Sequence, residues 1–585
     1  MAGITKLTSP SVPVAKANFA GGLNSTSGPL NVQDNEATDL QNVDFNKFGS
    51  FVKRNGYTRL NDTALDGGVT GLHWFQEVSG TSSMIAIAGS KIYYSTNASG
   101  TFTDITGALT ITDSDEAHWN MITFNDQVGA TNGTDVPIKV SNALAASEMT
   151  LPTNVTIPKY IGAFNNYTFI GVPTLSGTLK HSRVYWSNID TLDTWTNTDF
   201  NDIGLDDGAG AITGLKVLGD RLVIFKERAI YIALFTGDAD IPFTFLKTPS
   251  DVGAISGQSI QEIKNGLMFL AQDGFYFFDG SNSIKMSDRI TTTLETFSRS
   301  RFANAVSAYQ REKNRYWCSF TTSGSTEHNR VITWDSANNA FSVYNGHIAN
   351  AYAIAFISGA ERLYFGTYGG VICRADTTEN DGDDTALSEK TIAFNDSGPD
   401  TIDDSGSGFD TDTLGPGDRI TVEGSASNDG TYTIATVSTS QIVLIAGDEL
   451  TNEAEGADVI VTRVSAIDAY LKTKWYNFGD IVDKKGIAHA TIYHQIDNNS
   501  ISFAYSYDFE EADQFTKSVD MSTSGAVYGT GVYGTATYSG SGGRTQRVDL
   551  TGRGRTVRFH ISNSADDEGF QIDGIGLLPH LETYA

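Results

Sequence analysis

The chain has 585 residues, 39% of them apolar and 59 of them glycine. This composition excludes disorder throughout and predicts about four domains, or fewer around a large β architecture. Its 40 Lys+Arg stand against 69 Asp+Glu, a net charge of −29; that balance excludes a general phosphate-contacting surface and an anionic membrane as partners, but not a channel through which nucleic acid slides.

The opening MAGITKLTSPSVPVAK has no long apolar stretch, so no secretory signal is expected. No apolar run approaches the ~18 residues of a membrane-spanning helix, so synthesis in a cytoplasm is expected. Next, Phe19-Ala20-Gly21-Gly22-Leu23-Asn24 predicts a turn presenting an aromatic anchor. Asp34-Asn35-Glu36 can cap a short helix over 35–41. Gly49 to Tyr57 predicts a strand followed by an Asn-Gly hairpin at Asn55-Gly56. Residue chemistry alone makes this an ordinary N-terminal hairpin.

Between about 65 and 380 a strand–turn–strand unit recurs every ~35–50 residues. Examples are MIAIAGSKIYYSTNASGTFTDITG (84–107), ITGLKVLGDRLVIFKERAIYIALF (212–235) and IQEIKNGLMFLAQDGFYFFDG (260–280). Six or seven such units predict radial repetition, because one four-stranded sheet cannot bury both faces alone. The expected fold class is all-β, a β-propeller; the alternative is a pair of β-sandwiches. One short helix is expected at 292–305. Cys318 and Cys373 are expected to be two buried thiols rather than a disulfide. Ser95 to Phe102 approaches the "Asp box" turn of sialidase-like propellers, with Asn97 for Asp, Ser99 for Gly and Phe102 for Trp. That box is a structural turn and supports the propeller more than hydrolysis.

After Asp376 the composition shifts. TTENDGDD (377–384) reads as an acidic hinge. Residues 390–464 form a unit with its own pattern, GDRITVEG, NDGTYTIATV and SQIVLIAG, expected to be a small inserted β-barrel or sandwich. Long alternating strands resume over 465–585, and the Gly/Ser/Tyr-rich stretch 522–544 is expected to be a loop.

No catalytic constellation stands out. The nine His are scattered, without HExxH or zinc spacing, and neither GxSxG nor a phosphate loop is present. Carboxylate runs such as Asp113/Asp115/Glu116, Asp206/Asp207 and Asp566/Asp567/Glu568 read as solvated loops. The run 403–412 does not fit an EF-hand. Nothing groups the three arginines that a sialidase needs to clamp a carboxylate. No catalytic residue, metal or cofactor is expected.

Taken as a whole, residues 18–60 resemble the opening of the tail nozzle, tail tubular or packaged-DNA stabilisation proteins of short-tailed bacteriophages. The order F-x-GGLN, DNE, L-x-N and G-S-hydrophobic-x-KR-x-GY is matched by Phe19, Gly21, Gly22, Leu23 and Asn24. It continues with Asp34, Asn35 and Glu36; Leu40 and Asn42; and Gly49, Ser50, Lys53, Arg54, Gly56 and Tyr57. Asn55 stands where Pro is frequent. LKTKWYNFGD (471–480) and GFQIDGIGL (569–577) also resemble that family's C-terminal β region, and 385–465 resembles it least.

The resemblance implies a structural virion protein, not an enzyme. Six copies would form a ring or tube in the phage tail below the head-to-tail adaptor, assembled in the host cytoplasm. Packaged genomic duplex DNA would be retained and then conducted without sequence-specific binding. A tail fibre or tailspike is a further partner. The implied organisation is a docking segment, 1–64, within a platform; a propeller, 65–385; an inserted module, 386–464; and a C-terminal platform domain, 465–585. Deleting 1–60 is then expected to abolish docking and leave a folded propeller. The sequence does not mark which residues would face a lumen. Other readings are a closely related protein that closes the portal, and a glycan-binding or sialidase-like propeller at the host surface.

Overall fold

The apolar–apolar runs of the repeating units become central strands buried on both faces, as in Ser82–Ala88, where all seven residues are buried. Met84, Ala86 and Ala88 face one neighbouring sheet, while Ile85 and Ile87 face the other. The alternation that would mark a one-sided strand is therefore absent.

The computed structural model describes residues 14–581, apart from 17–18, 47–48, 62, 382–385, 410–413, 415–418, 465, 480, 496–498, 522–544 and 566–567. The stretch 522–544, Asp566 and Asp567, and parts of 377–384 and 403–412 thus lie outside the described residues.

The protein is all-β, and its repeats form a seven-bladed propeller among the described residues. Four-stranded antiparallel sheets cover 69–104, 120–148, 160–202, 212–247, 261–285 and 306–344. The seventh combines three strands over 351–375 with Tyr57–Arg59, which pairs with Ile372–Ala375. Innermost strands pack on one another around the axis, and Ala351–Ile357 of the last blade meets Val69–Gln76 of the first. Each blade interface has its own apolar core; Trp317, Tyr344 and Phe365, for example, lie between blades 6 and 7.

Both chain ends build a platform of two six-stranded sheets. In one, Gln571–Leu581 pairs with Val14–Lys16, Phe51–Lys53 and Lys485–His494. In the other, Ala469–Thr473 lies between Glu36–Gln41 and Val557–Asn563. The platform core, including Leu471, Phe503, Phe559 and Ile572, is continuous with that between blades 5 and 6, including Phe275, Phe320 and Phe341.

Residues 386–464 contribute seven paired strands around a separate core of Ile392, Phe394, Ile420, Val422, Ile434 and Ile442. Among the described residues the sheet does not close into a barrel. It folds over at Gly430–Ser438, where a register shift lies between Ile434 and Thr436.

Four expectations are corrected. Residues 36–41 are a strand, not a helix: a bulge between Ala37 and Asp39 breaks the alternation, so Ala37 and Leu40 are both buried at a helix-like spacing. Asn55-Gly56 is no hairpin. Phe51–Lys53 belongs to the platform and Tyr57–Arg59 to blade 7, and neither turn residue has the positive φ that a two-residue hairpin needs. The helix at 292–305 breaks into Thr291–Leu294 and the 3-10 turn Arg299–Asn304. A β-branched start favours helix weakly, and Phe297 bridges to Thr322. Finally, the expected boundary at 64 does not separate the N-terminal segment from the propeller, because Tyr57–Arg59 is a propeller strand; deleting 1–60 would strip an edge from blade 7.

Candidate functional site at the junction of propeller and platform

The residues singled out between 19 and 57 lie at or beside the seam where platform, blade 6 and blade 7 meet. Phe19 stacks edge-on against Phe51 at 4.9 Å, and its N–H donates to the Gly49 carbonyl at 2.7 Å. Leu23 is buried in the platform core. Glycine at 22 is required, since its φ is +67° and a Cβ would stand 2.8 Å from Ala340 of blade 6. Gly21 has the same crowding against Asn35 and Glu36. Glu36 is the hub of this end: its buried carboxylate accepts from Asn24 Nδ2 at 2.7 Å and the Gln33 N–H at 3.0 Å, and pairs with Arg289 at 3.1 Å.

The other end is built on Asn42, a buried residue with φ 54°. Its N–H donates to the Val343 carbonyl and its Nδ2 to Asn345 Oδ1 and the Asp468 carbonyl, while its Oδ1 accepts from Arg54 Nε. Arg54 is 2% exposed. Its guanidinium grips both oxygens of Asp381, donates to the Asn345 carbonyl at 2.7 Å and lies 5.3 Å over the Tyr344 ring. Tyr344 donates to Asp44, which also pairs with Arg315 at 2.8 Å. Arg315 and Lys313 both pair with Asp376. Burial pushes the Asp44 carboxyl up to about 6 in spite of Arg315. Lys53 donates to Asn563 Oδ1 and the Ala565 carbonyl. Gly56 lies where a Cβ would overlap the Asn380 carbonyl, and the Tyr57 ring meets Phe365 edge-on at 5.0 Å.

This arrangement fixes the register between platform and propeller. Buried charge pairs of this kind contribute specificity of fit more than net stability. Sequence reading missed Asp44, Arg289, Arg315, Asp376 and Asp381. Arg315 carried a faint signal, as a charge at the start of the aromatic strand Arg315–Phe320. Among the described residues, no group of three or more His, Cys, Asp and Glu is placed to hold a metal ion. Cys318 and Cys373 are both buried, and neither is in a disulfide.

The propeller axis is nearly closed. Around Thr70, His118, Gln258, Ser307, Asn350 and Tyr352 the space is about 30 Å³, room for one water. At one end, His118 and His328 stack at 6.2 Å beside the pair Arg301–Glu116. Burial lowers His118 and brings His328 down to about 3. Duplex DNA, whose major groove alone is ~12 Å wide, does not fit this axis.

No family model and no curated protein matches the chain. Solved structures match about half of the chain. A catalytically inactive virginiamycin B lyase from Staphylococcus aureus with quinupristin is 17% identical, with TM-score 0.37, covering 55% of this chain and 99% of that one. The computationally designed Ika8 protein is 11% identical, with TM-score 0.34 and coverages of 55% and 100%. A chain of the mitotic checkpoint complex is 9% identical, with TM-score 0.34 and coverages of 54% and 95%. No helix among the described residues is long and apolar enough to cross a membrane.

Proposed function

We propose that the chain is a structural tail protein of a short-tailed bacteriophage, one of six wall segments of a nozzle that docks below the head-to-tail adaptor. The observation that carries this reading is where the motif residues go. Phe19, Gly22, Glu36, Asn42, Lys53, Arg54 and Gly56 serve a rigid seam joining both chain ends to one side of the propeller. A seam of buried charge and crowded glycine suits a part that transmits force between neighbours. The propeller then projects from a platform free to dock.

On this reading the narrow axis is no conduit, and the proposed DNA passage would run between copies rather than through any one propeller. At −29 per chain, a wall of six copies repels a polyanion within about 8 Å at physiological salt, whereas a basic lining would hold it by counterion release. Electron microscopy of the chain mixed with its adaptor tests the reading. A six-fold ring coaxial with the adaptor is expected; density away from the tail axis in intact particles would overturn it. The acidic-wall idea is tested by filter binding of duplex DNA to the ring. Weak retention is expected, and tight, strongly salt-dependent retention refutes it.

A further inference from the structure

On the side of the axial neck away from His328, the propeller opens into a cavity of about 380 Å³ between blades 2, 3, 4 and 5, within the ~300–1,000 Å³ usual for small-ligand sites. Its wall is apolar where Met121, Ile161, Leu215 and Val217 line it. Among the described residues lining it there is one cation, Lys216, on the innermost strand Ile212–Leu218 of blade 4. Among the described residues Lys216 makes no ion pair, and its single hydrogen bond is a long one, 3.5 Å to Gln261 Oε1. The one lining carboxylate, Glu262, is near enough to favour the charged Lys216, but its ion pair is with Arg311 at 3.4 Å. The ammonium thus keeps donors unused inside a partly apolar chamber, and burial lowers its pKa.

Two acceptors complete the lining. Asn120 gives its Nδ2–H to the Lys159 carbonyl at 3.2 Å, and Gln258 gives its Nε2–H to the Trp119 carbonyl at 2.9 Å. Their side-chain oxygens carry no hydrogen bond. We propose that this axial chamber is a binding site for a small organic carboxylate bearing a hydroxyl or amino group. The carboxylate pairs with Lys216, the hydroxyl or amino group donates to Asn120 or Gln258, and the carbon skeleton lies on Met121 and Val217. A charge-assisted hydrogen bond in such a setting is stronger than a neutral one. The site is independent of the seam and of the nozzle reading.

Met121 supplies a local probe. The full-length protein, labelled with ¹³C at its methionine methyl groups and with Met121 assigned through Met121→Leu, is titrated with L-malate, L-glutamate and inorganic phosphate. A saturable shift of the Met121 resonance with malate or glutamate is expected. Lys216→Met should weaken it at least about tenfold, the loss of one charged hydrogen bond, and Lys216→Arg should retain it. Unmoved remaining methionine signals show that the variants fold, and the wild-type titration decides even if one does not. No Met121 shift, the same shift in Lys216→Met, a shift matched by chloride at equal ionic strength, or a response to phosphate alone would each overturn the proposal.

Discussion

Arg54 and Asp381 show how much a single position carries. The guanidinium meets five acceptor atoms from four residues of three parts of the chain. Lysine cannot reproduce the planar fork, and removing one partner of a buried pair costs about 3–5 kcal/mol. Arg54→Met, which leaves the Asp381 carboxylate buried without its cation, should therefore lower the unfolding free energy by about 3–5 kcal/mol in denaturant titration, and Arg54→Lys by less; a loss of under about 1 kcal/mol in Arg54→Met would show the seam to be dispensable. Gly56→Ala should be comparably harmful, because the added methyl overlaps the Asn380 carbonyl. The buried imidazoles set the pH response. Burial lowers His73 to about 4 and His328 to about 3, so above about 6.5 both are neutral in either state. As pH falls below that, the unfolded chain gains protons first, and stability drops by about 1.4 kcal/mol per pH unit for each. Asp44, raised to about 6, runs the other way: its contribution is present below about 4 and lost as pH rises to 6. Denaturant midpoints between pH 7 and 5 should fall on acidification, less steeply in His328→Gln and more steeply in Asp44→Asn.

Single elements explain what could be read in advance. The repeat of strand, turn and aromatic strand was visible because turn residues recur at fixed spacing and because propeller blades pair locally. The error at 36–41 arose from a bulge, which lets a strand imitate helical periodicity. The error at Asn55-Gly56 arose because that glycine answers a carbonyl more than 300 positions away, a constraint no local pattern carries. Long-range pairing also hid Asp381 from the motif around Arg54. Tyr57–Arg59 yields a direct test. Hydrogen exchange at Ile372–Ala375 should remain slow when 1–53 is removed and become fast when 1–60 is removed; equal protection in both truncations would show that the strand does not close the blade. The module at 386–464 is a cleaner unit. Its first and last strands, Ala386–Glu389 and Val459–Val464, lie side by side with Glu389 opposite Val459. Replacing 386–464 with a short glycine–serine link should leave the thermal transition of the remainder within a few degrees, and the excised piece should fold on its own core.

At the scale of the whole molecule, the acidic surface, the propeller and the two-ended platform form one argument about assembly. If the proposed nozzle reading holds, light scattering of the chain with a head-to-tail adaptor should give six copies of 62.9 kDa, about 377 kDa, beyond the adaptor's own mass; a persistent monomer would count against the ring. The propeller class was legible from repetition, and the number of blades was not, because the seventh sheet borrows a strand from outside the repeating region.

That borrowed strand sets a timetable for biosynthesis. Tyr57–Arg59 leaves the ribosome early, yet its partner Ile372–Ala375 follows roughly 300 residues later, a delay of about 15–60 s at ~5–20 residues per second. The nascent chain must carry an unclasped ring through that interval, with the platform's first strands waiting longer still for their C-terminal partners. Blades 1 to 6 can settle by local pairing meanwhile, so the vulnerable species is a nearly complete wheel with one open rim, where chaperone protection or domain exchange between nascent chains would act.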